Sequence, residues 1–136
     1  MPKISVIAIV DDDEIYQFGM RRDLGTINLP KKLWFFSNGM EALEHINENI
    51  TNEDNIPDII FLDINMPVMD GFEFIEQFKN IKTAIKKKVD IYIVSSSIDK
   101  SDINRANSFP EVTEYLIKPV RISELTNVVK KFSQNE

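Results

Sequence analysis

Cysteine is absent from the 136 residues. That excludes a disulfide framework, a thiol nucleophile and a zinc–thiolate site, and it fits a reducing compartment. Histidine occurs once, at His45, on a segment read below as the second helix and away from the acidic strand ends, so catalysis by histidine is not expected. No apolar run approaches the ~20 residues that a membrane-spanning helix needs. The opening Met1-Pro2-Lys3-Ile4 leads into a short apolar run closed by four acids, Asp11 to Glu14, which lacks the shape of a signal peptide. A cytoplasmic protein without membrane contact is expected. Positive charge is in the minority, with 16 Lys and Arg against 22 Asp and Glu and a net charge of −6. That balance argues against direct nucleic-acid binding, which favours a basic face. The run Lys86-Lys87-Lys88 reads as a solvated connection.

What is present suits one ordinary globular domain covering 1–136, long enough to bury a core without staples. Its residues are 43% hydrophobic and 28% charged, and no repeat or linker divides them. Ser5–Val10 reads as a first buried strand, followed by a helix from about Glu14 to Leu24 in which Tyr16, Met20 and Leu24 share a spacing and Gly25 is a stop. Lys32–Phe36 is an aromatic second strand, and Asn38-Gly39 turns into a helix with Ala42, Leu43 and Ile46 on one face. Asn47 to Asn55 reads as a long polar loop. Ile59–Leu62 is the third strand, Phe74, Ile75 and Phe78 mark the third helix, and Asp90–Val94 is the fourth strand. A fourth helix around Asp102–Ser108 offers only Ile103 and Ala106 to a core. Glu114–Ile117 is the fifth strand, and Ile122, Leu125, Val128, Val129 and Phe132 form the stripe of the last helix. Strands alternating with helices five times predict an α/β domain, a doubly wound parallel sheet with helices on both faces.

The stretch Ile59-Ile60-Phe61-Leu62-Asp63 carries the functional argument. Four large apolar residues in a row suit a strand buried on both faces, and Asp63 falls at its carboxyl end, where ligands bind in open α/β sheets. Taken alone, Asp63 equally suits the start of a turn, Asp11-Asp12 the start of a helix, and Lys118 an ordinary surface position. With strands one, three and four central, however, Asp11, Asp12, Asp63, Ser95 and Lys118 converge on one edge. Three gathered carboxylates repel one another unless some stay protonated or a cation joins them. Mg²⁺ takes oxygen ligands and keeps several waters, so few protein ligands suffice.

This set resembles the receiver domain of two-component response regulators, the chemotaxis-receiver fold. The matching motifs are Ile9-Val10-Asp11-Asp12, Leu62-Asp63-Ile64-Asn65-Met66-Pro67-Val68-Met69-Asp70-Gly71, Val94-Ser95-Ser96 and Tyr115-Leu116-Ile117-Lys118-Pro119. The resemblance implies a flavodoxin-like strand order 2-1-3-4-5. It implies that Asp63 accepts a phosphoryl group from a histidine kinase or histidine phosphotransferase, and that the domain catalyses its own phosphorylation and dephosphorylation. Asp12 and Asp63 would bind Mg²⁺ directly, with the Asn65 backbone carbonyl as a further ligand and Asp11 acting through water. Ser95 and Lys118 would contact phosphoryl oxygens, the Lys118-Pro119 bond would be cis, and Ser95 with Tyr115 would form the switch. For Tyr115, packing at a sheet edge with a wet hydroxyl fits as well. Ile15 and Phe18 are either exposed apolar residues that meet a kinase or part of the core.

The chain starts at Met1 and ends in a polar tail, and is expected to be a complete short protein acting through a downstream protein partner. A relay intermediate or a fragment of a larger regulator or hybrid kinase is the alternative. A phosphatase of the haloacid-dehalogenase type also uses a strand-end Asp, Mg²⁺ and Lys. It wants an acid two residues after the nucleophile, where this chain has Asn65.

Overall fold

The computed structural model describes residues 4–27 and 32–134. Five parallel strands, β1 (Val6–Val10), β2 (Lys32–Phe36), β3 (Ile59–Leu62), β4 (Asp90–Ser95) and β5 (Val112–Ile117), form one sheet in the order β2-β1-β3-β4-β5. The helices between and after them are α1 (Glu14–Thr26), α2 (Gly39–Glu48), α3 (Gly71–Ile81), α4 (Lys100–Asn107) and α5 (Ile122–Gln134). This is the doubly wound, flavodoxin-like arrangement.

The sheet divides the core because successive strand residues point to opposite faces. Ala8, Val10, Ile60, Leu62, Ile91 and Ile93 pack with Ala42 and Ile46 of α2, Phe74, Ile75 and Phe78 of α3 and Ala106 of α4. Ile7, Ile9, Ile59, Phe61, Tyr92 and Val94 pack with Met20 and Leu24 of α1 and Leu125, Val128 and Phe132 of α5. Strands β1, β3 and β4 are therefore buried along their whole length, the reason their sequences read as continuous apolar runs. Strand β2, at the edge, is only partly buried.

Helix starts follow the local chemistry. Asp13 caps α1, accepting hydrogen bonds from the Ile15 and Tyr16 amides, and Asn38 caps α2 by accepting from the Glu41 amide. Asp70 and Glu73 close a reciprocal capping box on α3, which satisfies two backbone donors at the turn that follows Asp63.

Several expectations need correction. Gly25 does not stop α1: the helix runs on to Thr26, and no glycine has a positive φ. Ile122 is 45% exposed and stands outside the buried α5 stripe, being the first residue of the helix, while Leu125, Val128 and Phe132 are buried. The segment 47–55 is not all loop, since α2 continues to Glu48 and Glu53–Asn55 forms a 3-10 turn. Strand β5 begins two residues earlier than expected, at Val112.

The lysine run is the largest departure. Lys87 is mostly buried, donating to the carbonyls of Glu53 (3.0 Å) and Ile56 (2.6 Å) and pairing with Asp58 at 2.9 Å. Asp58 in turn accepts from the Ser5 and Val6 amides at 2.8 and 3.0 Å. Lysine and carboxylate thus tie the entries of β1 and β3 together at the edge opposite the acids. Lys87→Ala leaves a buried carboxylate without its counter-ion, at a cost we expect to be about 2 kcal/mol because two amides still hold it. A shift in the urea midpoint at unchanged slope measures this; an unchanged midpoint would mean that the pair contributes nothing net.

Candidate functional site

The carboxyl ends of β1, β3 and β5 bring four charged side chains together. Asp11 follows β1, Asp63 follows β3 and Lys118 follows β5. One carboxylate oxygen from each of Asp11, Asp12 and Asp63 lies within 4.8 Å of the others. The Lys118 Nζ sits 2.8 Å from Asp11 Oδ2 and 3.7 Å from Asp63 Oδ2. Its ammonium also lies 4.4 Å from the ring centroid of Tyr16 on α1. Asp11 and Asp63 are buried and Asp12 is exposed, so the cluster is open on one side.

The backbone holds these groups firmly. Asp11 Oδ1 accepts from the Asp13 amide at 2.9 Å, and the Asp11 carbonyl accepts from Gln17 Nε2 at 2.6 Å. Asp63 Oδ1 accepts from the Ile64 amide at 2.9 Å. Gly71 donates its amide to the Ile64 carbonyl at 2.9 Å, and this closes the β3–α3 loop over Asp63. A Cβ at Gly71 would lie 3.1 Å from Ile64 Cα and 3.2 Å from the Asp63 carbonyl carbon, with the Asp63 oxygen closer still. Only glycine lets the helix start this near the acid. Within the loop Val68 has a φ of 69°, a strained value for a β-branched residue, in a tight turn where the Met69 amide donates to the Pro67 carbonyl at 2.7 Å. Asn65 lies on this loop with its side chain exposed.

Electrostatics favour a cation. Burial pushes the Asp63 carboxyl up to about 6, and the neighbouring Asp11 charge adds to the rise; Lys118 and the Ile64 amide oppose it. Asp11 Oδ2 is buried without an aligned hydrogen bond, so its compensation is the Lys118 charge. Three carboxylates against one ammonium leave an excess of negative charge, with oxygen atoms spaced to share one ion. Oxygen donors in that number fit a hard divalent cation.

Ser95 ends β4, is buried, and accepts from the Ser97 amide at 3.1 Å. The carbonyl of Ser95 accepts from the Lys118 amide at 2.9 Å, which ties the β4 and β5 ends together. Tyr115 does not leave its hydroxyl to solvent: the group donates to the Ser97 carbonyl at 2.8 Å. Ser97 Oγ donates to Asp102 at 2.7 Å and accepts from the Asp99 amide at 3.2 Å, so Tyr115 bears on the whole β4–α4 connection. The Lys118-Pro119 bond is cis. Ile15 and Phe18 are 84% and 66% exposed, which settles that neither is core. His45 is engaged elsewhere, its ring against Trp34 and Phe36 and its Nε2 3.1 Å from the Asn55 carbonyl oxygen. Gln17, Ser97 and Asp102 were not legible as site residues in the sequence, and Tyr16 stood out there only for sharing a helical spacing with Met20 and Leu24. Nothing in the spacing of Gln17 points to the Asp11 carbonyl, six positions back.

A family model described as the response regulator receiver domain matches residues 7–130. The chain is 32% identical over 130 residues to the sensor histidine kinase CheAY of Helicobacter pylori, covering 96% of this chain but 15% of that protein. It is 27% identical to the sporulation initiation phosphotransferase F of Bacillus subtilis, covering 93% and 91% of the two. Among solved structures, a two-component response regulator from Cytophaga hutchinsonii superposes with a TM-score of 0.88 at 29% identity, over 98% of this chain and 100% of that one. The phosphorylated cyanobacterial phytochrome response regulator RcpA has a TM-score of 0.75 at 26% identity, over 96% and 92%. Curated relatives differ in length: the chain spans 15% of the first, 81% of a methanogenesis regulator and 52% of a dicarboxylate response regulator.

Proposed function

This chain belongs to the response regulator receiver family, and from that premise we propose that Asp63 is its phosphoryl acceptor, with Mg²⁺ held by the acids around it. The observation that carries the reading is the cluster itself: Asp11, Asp12 and Asp63 within 4.8 Å, with the Lys118 ammonium beside two of them. Asp12 and Asp63, the Asn65 carbonyl and, through water, Asp11 would hold the ion. Mg²⁺ would supply positive charge to the transferring phosphoryl oxygens. An oxygen of the Asp63 carboxylate attacks phosphorus while the bond to the donor's leaving group breaks, and the bonding electrons depart with that group. Developing charge on the equatorial oxygens is met by Lys118 and by the Ser95 hydroxyl, so the protein contributes positioning and electrostatics.

A phosphoryl group adds close to two negative charges and new acceptor oxygens beside Ser95. Drawing Ser95 inward disturbs the Ser95–Ser97 contact and with it the carbonyl that Tyr115 holds. That is the route by which we assign the switch to Ser95 and Tyr115 and the output to a downstream protein partner. The donor is a histidine kinase or histidine phosphotransferase in the cytoplasm. Both faces of one sheet share these elements, which supports treating 1–136 as a single receiver unit. Among the described residues no helix is long and apolar enough to cross a membrane. The phosphatase alternative lacks its second acid, and the family match leaves it without support.

Acetyl phosphate with Mg²⁺ is expected to label the protein once, at Asp63, with EDTA preventing it. The bond should show the instability of an acyl phosphate. Labelling that is indifferent to EDTA, or that maps to another residue, overturns the proposal.

A further inference from the structure

Among the described residues the Lys118 ammonium meets two carboxylates and one group that carries no charge. Asp11 is 2.8 Å away, Asp63 is 3.7 Å away, and the Tyr16 ring centroid is 4.4 Å away. We propose that Tyr16 is a positioning residue of this site, its ring face holding the Lys118 ammonium beside Asp63 when Asp11 turns to a divalent cation. The inference rests on the reading of Asp63 as acceptor and Lys118 as its cationic partner.

The physical reason lies in what a metal does to the lysine. Of its two carboxylate partners, Lys118 lies nearer Asp11, one of the three carboxylates that would share the ion. A cation drawing on Asp11 weakens that attraction and repels the ammonium directly. Lysine is a flexible stem carrying a strongly hydrated charge, and its side chain is already 20% exposed, so withdrawal to water is open to it. An aromatic face attracts a cation through its quadrupole. It offers no oxygen to the metal, so it loses nothing when the ion arrives. Tyr16 is also fixed in place, lying in the first turn of α1 with its amide donating to the Asp13 cap and its side chain packed against the α1/α5 side of the core.

The face, and not the hydroxyl, is what the geometry singles out. The Tyr16 hydroxyl is buried and has no hydrogen-bond partner. Removing it deletes an unsatisfied polar group and should not harm the fold. Tyr16→Phe therefore keeps the platform, whereas Tyr16→Leu fills the space without a ring.

Two readouts test this, one of them independent of phosphorylation. By NMR of the metal-free protein, the Lys118 ε protons should be shifted upfield by the ring and show cross-relaxation to the Tyr16 ring protons. Both signatures should survive in Tyr16→Phe and disappear in Tyr16→Leu. The rate of labelling by acetyl phosphate with Mg²⁺ should fall about 3- to 30-fold in Tyr16→Leu, the span expected for a partly desolvated cation–ring contact, and recover in Tyr16→Phe. Should Tyr16→Leu fail to fold, Tyr16→Met serves as the ringless variant beside the wild-type cross-relaxation. The inference is overturned by wild-type protein lacking that cross-relaxation, by a ringless variant labelled within twofold of wild type, or by Tyr16→Phe losing as much as Tyr16→Leu. Wild-type protein that takes no label at Asp63 overturns the acceptor reading and this inference with it; a labelled wild type with an indifferent ringless variant overturns only the inference.

Discussion

Asp63→Asn abolishes labelling by acetyl phosphate and at the same time makes the metal-free protein more stable at neutral pH. The two effects come from one property of the site. Asp63 is held in a buried position beside Asp11, and its carboxyl is pushed up from 3.8 to about 6. A group whose folded pKa lies above its unfolded value binds more protons when folded, so stability falls as pH rises across that window, from about 4 to about 6. Above it the ionised carboxylate costs the fold about two pH units at about 1.4 kcal/mol each, which sets an upper value of about 3 kcal/mol. Asparagine carries no charge and keeps an oxygen to accept from the Ile64 amide, a bond of 2.9 Å in the wild type. Its melting temperature should therefore exceed that of wild type at pH 7 in EDTA and approach it at pH 4. Saturating Mg²⁺ should narrow the gap by stabilising the wild type more. A variant still labelled would put the acceptor elsewhere. One less stable than wild type at pH 7 would mean that the carboxylate contributes more in hydrogen bonding than it costs in burial.

Gly71→Ala is expected to lower stability by about 3 kcal/mol, at the upper end of what overpacking costs, and to slow phosphorylation of the fraction that stays folded. The new Cβ would meet backbone atoms, the Asp63 carbonyl oxygen above all, and backbone cannot rotate out of the way as a side chain does. Relief requires moving the start of α3 away from the end of β3. That breaks the bond from the Gly71 amide to the Ile64 carbonyl and shifts the loop bearing Asn65, whose carbonyl we assign to the metal. Denaturant unfolding reads the first effect, and Mg²⁺ titration of the folded variant reads the second as weaker binding. Unchanged stability would show that α3 slides freely over β3. Gly39, where a Cβ would lie 3.0 Å from Met69 Cγ and from the Met69 carbonyl oxygen and 3.1 Å from Phe74 Cβ, should be less costly, because those contacts are longer than the one at Gly71 and small local shifts relieve them.

Residue type and period along the chain were enough to specify the strands, the two-faced sheet and the acids at one edge. Runs such as Ile59–Leu62 leave no polar face to expose, so they must lie inside a covered parallel sheet, and whatever follows them must fall at its carboxyl edge. The helix starts after Asp11-Asp12 and at Asn38-Gly39 were equally local, because what begins a helix is a contact between neighbours in sequence, as the caps at Asp13 and Asn38 are. Tertiary structure alone decided the rest. Tyr16 looks like any aromatic on an amphipathic helix until α1 is placed beside the end of β5, where its ring meets a lysine roughly a hundred positions away. Lys87 looks like part of a solvated run until β1 and β3 bring Asp58 to it. Gly25 has the residue type of a helix stop, yet α1 passes through it. Such contacts depend on the distances between chain segments, and those are set by packing, which local pattern does not encode.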